Sequence, residues 1–339
     1  MTILRDSSMK DVLSLPEFRS MKGQFVYAAD KWFSGSRSFS TITELASKRP
    51  GTAAEDTVLG LNRLRDVARQ HEKYVFSIHK GRRASLVWMP AKERKHDTVC
   101  LLLSGGAYSE VNSMFEAIPA AAKLNEEGYD CFFLNYRTID SDALVNGLMP
   151  TPMEDLREAI QKIHQIYPDA SYHLLGFSTG GNVCALWCTK QYGARKYDLP
   201  NPCGVLLAYP LISLLSLPHG PSRDYLMQGV FGTGYSREIA LRYDVRLLVD
   251  SAFPPVYLVR ADDDYTIPHN DATSFDTVLS ANRIEHQFEI LHGCGHGFGT
   301  GSGTAAENWL YHGIAWMDAH TANGRHNGKE QTVWTLQKT

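Results

Sequence analysis

Ser178 stands in Gly176-Phe177-Ser178-Thr179-Gly180-Gly181, directly after the apolar run Tyr172-His173-Leu174-Leu175. The helical-looking Asn182-Val183-Cys184-Ala185-Leu186-Trp187 comes next. A strand that turns sharply into a helix at G-x-S-x-G is the context of a nucleophile elbow. The serine must occupy a strained backbone position at the tip of the turn, so its neighbours must be small. The turn exposes Oγ and aims the amide of Thr179 at the place where an oxyanion would form. Without that context the pentapeptide is an ordinary glycine-rich turn.

Acyl transfer by serine needs three further parts: a base, a group that orients the base, and donors for the oxyanion. The base is expected at His296, in the glycine-rich Leu291-His292-Gly293-Cys294-Gly295-His296-Gly297-Phe298-Gly299. Imidazole can take and return a proton near neutrality. His292 competes but lies nearer the end of the preceding strand. The orienting acid is expected in Asp262-Asp263-Asp264, after the strand Val256 to Arg260. Asp264 is favoured, with Asp263 as the alternative; an acidic run there is otherwise a solvated turn or a calcium-like cluster. The oxyanion donors are expected in Ser104-Gly105-Gly106-Ala107-Tyr108. Gly106 and Ala107 are the named amides, joined by that of Thr179.

These parts need a scaffold. From Tyr74 onward strands alternate with helices. Tyr74 to Ile78 and Ala84 to Met89 read as a hairpin around Lys80-Gly81-Arg82-Arg83. Thr98 to Leu103, Tyr129 to Asn135, Tyr172 to Phe177, Gly204 to Ala208, Val256 to Arg260 and His286 to Leu291 read as strands, several apolar throughout. Helical stripes separate them: Met114 to Glu127, the run after Thr151-Pro152, Asp271 to Ala281, and Ala305 to Ala319. Continuous apolar strands in β–α alternation imply an α/β class with a mostly parallel, doubly wound sheet. Before Lys73 the pattern is helical. Asp11 to Met21 is broken by Pro16, Ile42 to Ser47 is capped by Thr41 or Thr43, and Asp56 to Gln70 carries Leu61, Leu64 and Val67 on one stripe. The division expected is a helical module over 1–72, a main domain over 73–322 with an insert near 210–252, and a tail over 323–339. The module alone would have a thin core, so it should pack on the main domain.

Composition narrows the class. The chain has 339 residues, 43% hydrophobic and 21% charged, with a net charge of −3. No block of like charge invites nucleic acid or an anionic membrane. Met1 to Lys10 lacks an apolar signal core, and no run approaches the roughly 18 apolar residues of a membrane helix. Six cysteines fall mostly in apolar patterns. Cys184 and Cys188 share a helical face, but nothing elsewhere completes a zinc site, so free buried thiols are expected. These features point to a cytoplasmic chain, while the serine chemistry above calls for no metal or organic cofactor and for a small-molecule ester as partner. They leave room for a homo-oligomer.

The combined pieces resemble the α/β-hydrolase superfamily, and within it the acetyl-ester and feruloyl-ester hydrolases related to carbohydrate esterases, near the hormone-sensitive-lipase-like group. Ser104 to Tyr108 matches the oxyanion turn, and Leu134-Asn135-Tyr136-Arg137 the next strand end. Pro152 with Asp155-Leu156 matches the helix start, Gly176 to Gly181 the elbow, and Ala208-Tyr209-Pro210 the strand end after it. Asp264-Tyr265-Thr266-Ile267-Pro268 matches the acid turn, and Gly295-His296-Gly297-Phe298 the histidine turn. The likeness spans about Tyr74 to Ala319. Two positions depart from it. Ser104 stands where histidine is usual, and Thr179 where alanine is usual. The N-terminal module resembles short accessory segments of some bacterial esterases.

The resemblance places a cap at the insert. Leu214, Leu215, Leu217, Leu226, Met227, Val230, Phe231 and Tyr235 either line an acyl or alcohol pocket or bury the cap's own core. Tyr108, Met227 and Phe231 are the candidate substrate contacts, and Arg137 reads as structural. The expected activity is a serine carboxylesterase on short-acyl esters, acetyl or aryl-acyl. The rivals are a prolyl-oligopeptidase-type peptidase and a non-catalytic binding homologue.

Overall fold

Strands buried at every position need cover on both faces, and helices supply it. The computed structural model describes residues 2–21, 23–26, 40–49, 52–79 and 84–320. Its eight strands are β1 (Val75–Ser77), β2 (Ser85–Met89), β3 (Val99–Leu103), β4 (Cys131–Asn135), β5 (Tyr172–Phe177), β6 (Gly204–Ala208), β7 (Val256–Ala261) and β8 (His286–Leu291). They lie in the order β1-β2-β4-β3-β5-β6-β7-β8. β1 and β2 are antiparallel to each other, and β2 is antiparallel to β4. From β4 to β8 every pairing is parallel. The loop of the β1–β2 hairpin and the tail over 323–339 lie outside the described residues.

Side chains alternate between the faces as the two-residue period of a strand requires. On β3, Cys100 and Leu102 join one buried cluster, while Val99, Leu101 and Leu103 join the other. The first cluster lies under the helices Ala54–Gln70, Ala117–Glu126 and Trp309–His320. The second lies under Thr151–Ile166, Ser178–Trp187 and His269–Ala281. The helix after β3 therefore covers one face and the helix after β5 the other, although β3 and β5 are neighbours. Their register sets Leu103 beside Gly176. The chain reverses its winding at this pair, which opens a crevice at the carboxyl ends of the two strands.

The N-terminal segment shares the first cluster. Met9, Val12, Phe18, Met21, Ile42, Leu45, Leu61, Leu64 and Val67 are buried in it with residues of the sheet. Burying each such side chain contributes about 1.5–3 kcal/mol. Thr41, and not Thr43, caps the helix Ile42–Ala46, through a capping box with Glu44. Pro16 divides the first helical stretch into Met9–Leu13 and a 3₁₀ helix, Pro16–Met21. Among the described residues, no helix is long and apolar enough to cross a membrane.

The insert forms the helices Pro221–Phe231 and Arg237–Leu241, with a short 3₁₀ turn on each side. The first helix docks on the loop after β4. Leu148 and Met149 donate their amides to the carbonyls of Gly229 (3.0 Å) and Val230 (3.1 Å).

Candidate active site

Ser178 directly follows β5 and opens the helix Ser178–Trp187 with φ of 50°. A non-glycine residue in this left-handed region is strained. Its neighbours explain how the strain is tolerated. A Cβ on Gly180 would stand 2.2 Å from the Leu103 carbonyl oxygen, and one on Gly176 would stand 2.6 Å from the Gly181 Cα. Only bare backbone lets the elbow close this tightly against β3.

The loop after β8 brings His296 over the serine. Gly295 and Gly297 flank it with φ of 66° and 80°, so the loop curls back within a few residues. His296 Nε2 lies 3.0 Å from Ser178 Oγ, and Nδ1 lies 2.8 Å from Asp264 Oδ2. A carboxylate only accepts, so Nδ1 carries the ring proton and Nε2 faces the hydroxyl with its lone pair. The Asp264 side chain is 1% exposed. Burial raises its pKa, but the His296 bond and charge and the amides of Thr266 and Ile267 outweigh that and hold it below the usual carboxylate range.

The three aspartates separate by direction. Asp262 accepts from His292 Nδ1 (2.6 Å) and the Gly293 amide, and Asp263 accepts from the Gly295 amide (2.8 Å). Only Asp264 reaches His296. His292 is 84% exposed at its side chain and pairs with Asp262, while His296 takes the place beside Ser178.

Gly106, Ala107 and Tyr108 take φ of 138°, 52° and 58°, a tight turn at the end of β3. The Gly105 amide is already committed to Glu116 Oε2 at 2.7 Å. Among the described residues, no acceptor takes the amides of Gly106 or Ala107. A Cβ on Gly105 would stand 2.6 Å from the Ser178 Cβ, so this turn lies directly against the serine. Thr179, buried, sits in the first helical turn, where amides lack intrahelical partners.

The proposed substrate contacts fare differently. Tyr108 is fully buried and its hydroxyl donates to Asn182 Oδ1, so its ring offers no surface to a ligand. Expecting it in the pocket neglected that the turn folds its side chain inward. Met227 is also core, 4% exposed, as the alternative reading of the insert has it. Phe231 is half-buried, with its ring 5.4 Å from that of Tyr243. No hydrogen bond or ring contact ties Met227 or Phe231 to Ser178 or His296 among the described residues. Arg137 is structural: its backbone amide and Nε both bond Asp155, at 2.8 Å each.

Sequence reasoning missed Arg260, Glu116 and Tyr209. Arg260 is 2% exposed, and its guanidinium donates to the carbonyls of Ala261, Pro268 and Asp264 beneath the acid turn. An arginine inside the otherwise apolar Val256–Ala261 was the available signal. Glu116 gave none, since a glutamate at a helix start reads as solvated.

No family model matches the chain. A curated acetylxylan esterase from Xylanibacter ruminicola is 25% identical over 247 residues, 69% of this chain and 48% of the relative. The chain thus spans about half the length of the curated relative it matches. Among solved structures, an acetyl ester-xyloside bifunctional hydrolase from Caldicellulosiruptor lactoaceticus superposes with a TM-score of 0.59 at 22% identity, covering 72% of this chain and 90% of that one. A carboxylesterase from Lactobacillus plantarum gives 0.55 at 18%, covering 69% and 91%. The chain has the α/β-hydrolase fold. The turn after β3 is held without the histidine usual in the enzymes that the sequence resembles. Ser104 is fully buried, its Oγ accepts the Ala117 amide (3.1 Å), and its carbonyl accepts the Tyr136 hydroxyl (2.8 Å).

Proposed function

We propose that this chain is a serine carboxylesterase for small, short-acyl esters, with acetylated sugars as the favoured class. The observation that carries the reading is the unbroken relay from Ser178 Oγ through His296 to Asp264, beside a turn with uncommitted amides. The name of the curated relative supports the acetyl-sugar assignment. The intact relay argues against a purely ligand-binding homologue.

Ser178 Oγ attacks the ester carbonyl while its proton passes to His296 Nε2. Asp264 steadies the resulting imidazolium. The amides of Gly106, Ala107 and Thr179 receive the charge that builds on the carbonyl oxygen. The tetrahedral adduct collapses, the C–O bond to the alcohol breaks, and His296 protonates the departing oxygen. Water then attacks the acyl-serine and gives a proton to His296; the second tetrahedral adduct collapses, the bond from the acyl carbon to Oγ breaks, His296 returns the proton to Ser178 Oγ, and the carboxylic acid leaves.

The test is Ser178→Ala, assayed on p-nitrophenyl acetate and on acetylated xylo-oligosaccharides, with a fluorophosphonate probe as label. Loss of turnover and labelling in a folded variant is expected. Retained turnover would refute the nucleophile. Turnover of the aryl ester with none on the acetylated sugars would refute the substrate class alone.

A further inference from the structure

Glu116 lies at the start of the helix Ala117–Glu126, buried against the oxyanion turn. Both carboxylate oxygens face donors. Oε2 accepts the Gly105 amide at 2.7 Å, and Oε1 accepts the Tyr209 hydroxyl at 3.0 Å. The Tyr209 oxygen in turn accepts the Gly299 amide at 3.2 Å, three residues past His296. The Tyr209 ring stands edge-on to the His296 ring, with centroids 5.0 Å apart and planes at 67°. One carboxylate thus ties together two loops that must keep a fixed separation if serine, imidazole and oxyanion donors are to act on one carbonyl.

We propose that Glu116 is a positioning residue for ester hydrolysis: through Gly105 it sets the oxyanion turn, and through Tyr209 it sets the loop that carries His296. The inference rests on the serine-esterase reading above. It adds a part that touches neither substrate nor the reacting atoms.

The choice of a carboxylate follows from the donors. A glutamine keeps the shape but has one acceptor oxygen. Its amide nitrogen would face either the Gly105 amide or the Tyr209 hydroxyl. That hydroxyl already accepts from Gly299, so turning it round leaves its proton without a target. A buried anion beside an oxyanion turn also opposes the charge that develops there. Arg49 of the N-terminal segment supplies the counter-charge. Its guanidinium attracts Glu116, donates to Asn112 Oδ1 at 2.9 Å, and lies over the Phe115 ring at 4.3 Å. The Asn112 amide closes the arrangement by donating to the Gly105 carbonyl (2.9 Å). Burial pushes the Glu116 pKa up, while Gly105, Arg49, Tyr209 and His296 all pull against it.

The experiment measures kcat and KM on p-nitrophenyl acetate, and the rate of fluorophosphonate labelling, for Glu116→Gln, Tyr209→Phe and the double variant. Thermal midpoints and far-UV circular dichroism are recorded in parallel. Each single change should lower kcat and the labelling rate together by roughly 10–10²-fold, below the loss of a direct oxyanion donor, with KM nearly unchanged. The double variant should be no worse than the poorer single, because both act through one network. Wild-type kcat in folded Glu116→Gln, or losses that multiply, would overturn the proposal. If Glu116→Gln does not fold, Tyr209→Phe decides, since it removes one hydroxyl: wild-type kcat there overturns the brace. Ser178→Ala and the wild type run alongside. A wild type that neither hydrolyses nor labels defeats the esterase reading itself, whereas an active wild type matched by Glu116→Gln defeats only the brace.

Discussion

Asp56 and Ser302 are hydrogen-bonded across 246 residues of sequence, Oγ to Oδ1 at 2.6 Å. Thr300 Oγ1 donates to the other carboxylate oxygen, and Lys123 Nζ lies 3.1 Å from Oδ1. The N-terminal helix Ala54–Gln70 therefore anchors the chain just beyond His296.

Asp56→Ala should cost about 3–5 kcal/mol, because it removes the counter-charge of a buried ammonium, which keeps only the Ser302 hydroxyl, and the acceptor of the Thr300 hydroxyl. Urea unfolding measures this. Replacing Lys123 by methionine in the same background should recover part of the loss, since no buried charge then stays uncompensated. Equal stability of the single and double variants would show that the ion pair does not matter. Catalysis provides a second reading: the loop beyond His296 loosens, so kcat falls at temperatures where the variant is still folded.

Asp264→Asn should lower kcat by roughly 10⁴-fold, the loss typical when the orienting carboxylate becomes an amide and the histidine takes the wrong tautomer. Asp263→Asn should lose far less, because its partner is the Gly295 amide and not the ring. Steady-state kinetics on an aryl acetate rank the two. The reverse order would reassign the acid. Sign matters for stability too. The folded pKa of Asp264 is depressed, so its stabilising effect is complete above the unfolded carboxylate value and is lost as pH falls through the lower folded one.

These two aspartates mark where sequence reading ends. The elbow was legible because its constraint is local: Gly176 and Gly180 must be small for contacts made within a few residues and with β3. The strands β5, β6 and β8 were legible because apolar or β-rich runs bounded by turns have few other uses. Choosing among Asp262, Asp263 and Asp264 was different. Three like residues in one turn are separated only by the direction each carboxylate takes, which the loop across from them decides. Glu116 was illegible for a related reason. Nothing near it in sequence announces that Tyr209 and Gly105 will bury it. The helix expected from Met114 begins instead at Ala117, where the Ser104 hydroxyl takes the first amide. Tyr108 misled because a residue next to an active turn can still point inward.

Gly105→Ala tests how closely turn and nucleophile fit. The new methyl would stand 2.6 Å from the Ser178 Cβ and 3.0 Å from the Phe177 carbonyl oxygen. Both neighbours belong to the elbow and cannot yield far. A displacement near 1 Å at reacting groups costs on the order of 10² in rate. The variant should stay folded yet lose about that much kcat and fluorophosphonate reactivity. Unchanged kinetics would mean that turn and serine move independently.

Asp271 gives a pH dependence of opposite sign to Asp264. It lies in the first turn of His269–Ala281, fully buried, and accepts the amides of Ile212 (2.6 Å) and Ser213 (3.1 Å). Burial is the largest influence and lifts its pKa to about 6 despite those amides and Arg246. The folded chain therefore binds a proton that the unfolded chain releases across the window from about pH 4 to pH 6. Stability from this group is fully present below the unfolded value and is lost as pH rises through the folded one. The shift corresponds to a span on the order of 3 kcal/mol. The comparison is urea unfolding of wild type and Asp271→Asn at intervals from pH 4 to pH 7. The wild type should gain on the variant as pH falls through that window, because asparagine has no proton to take up. A stability difference that stays constant with pH would mean that Asp271 keeps an ordinary carboxylate pKa despite its burial.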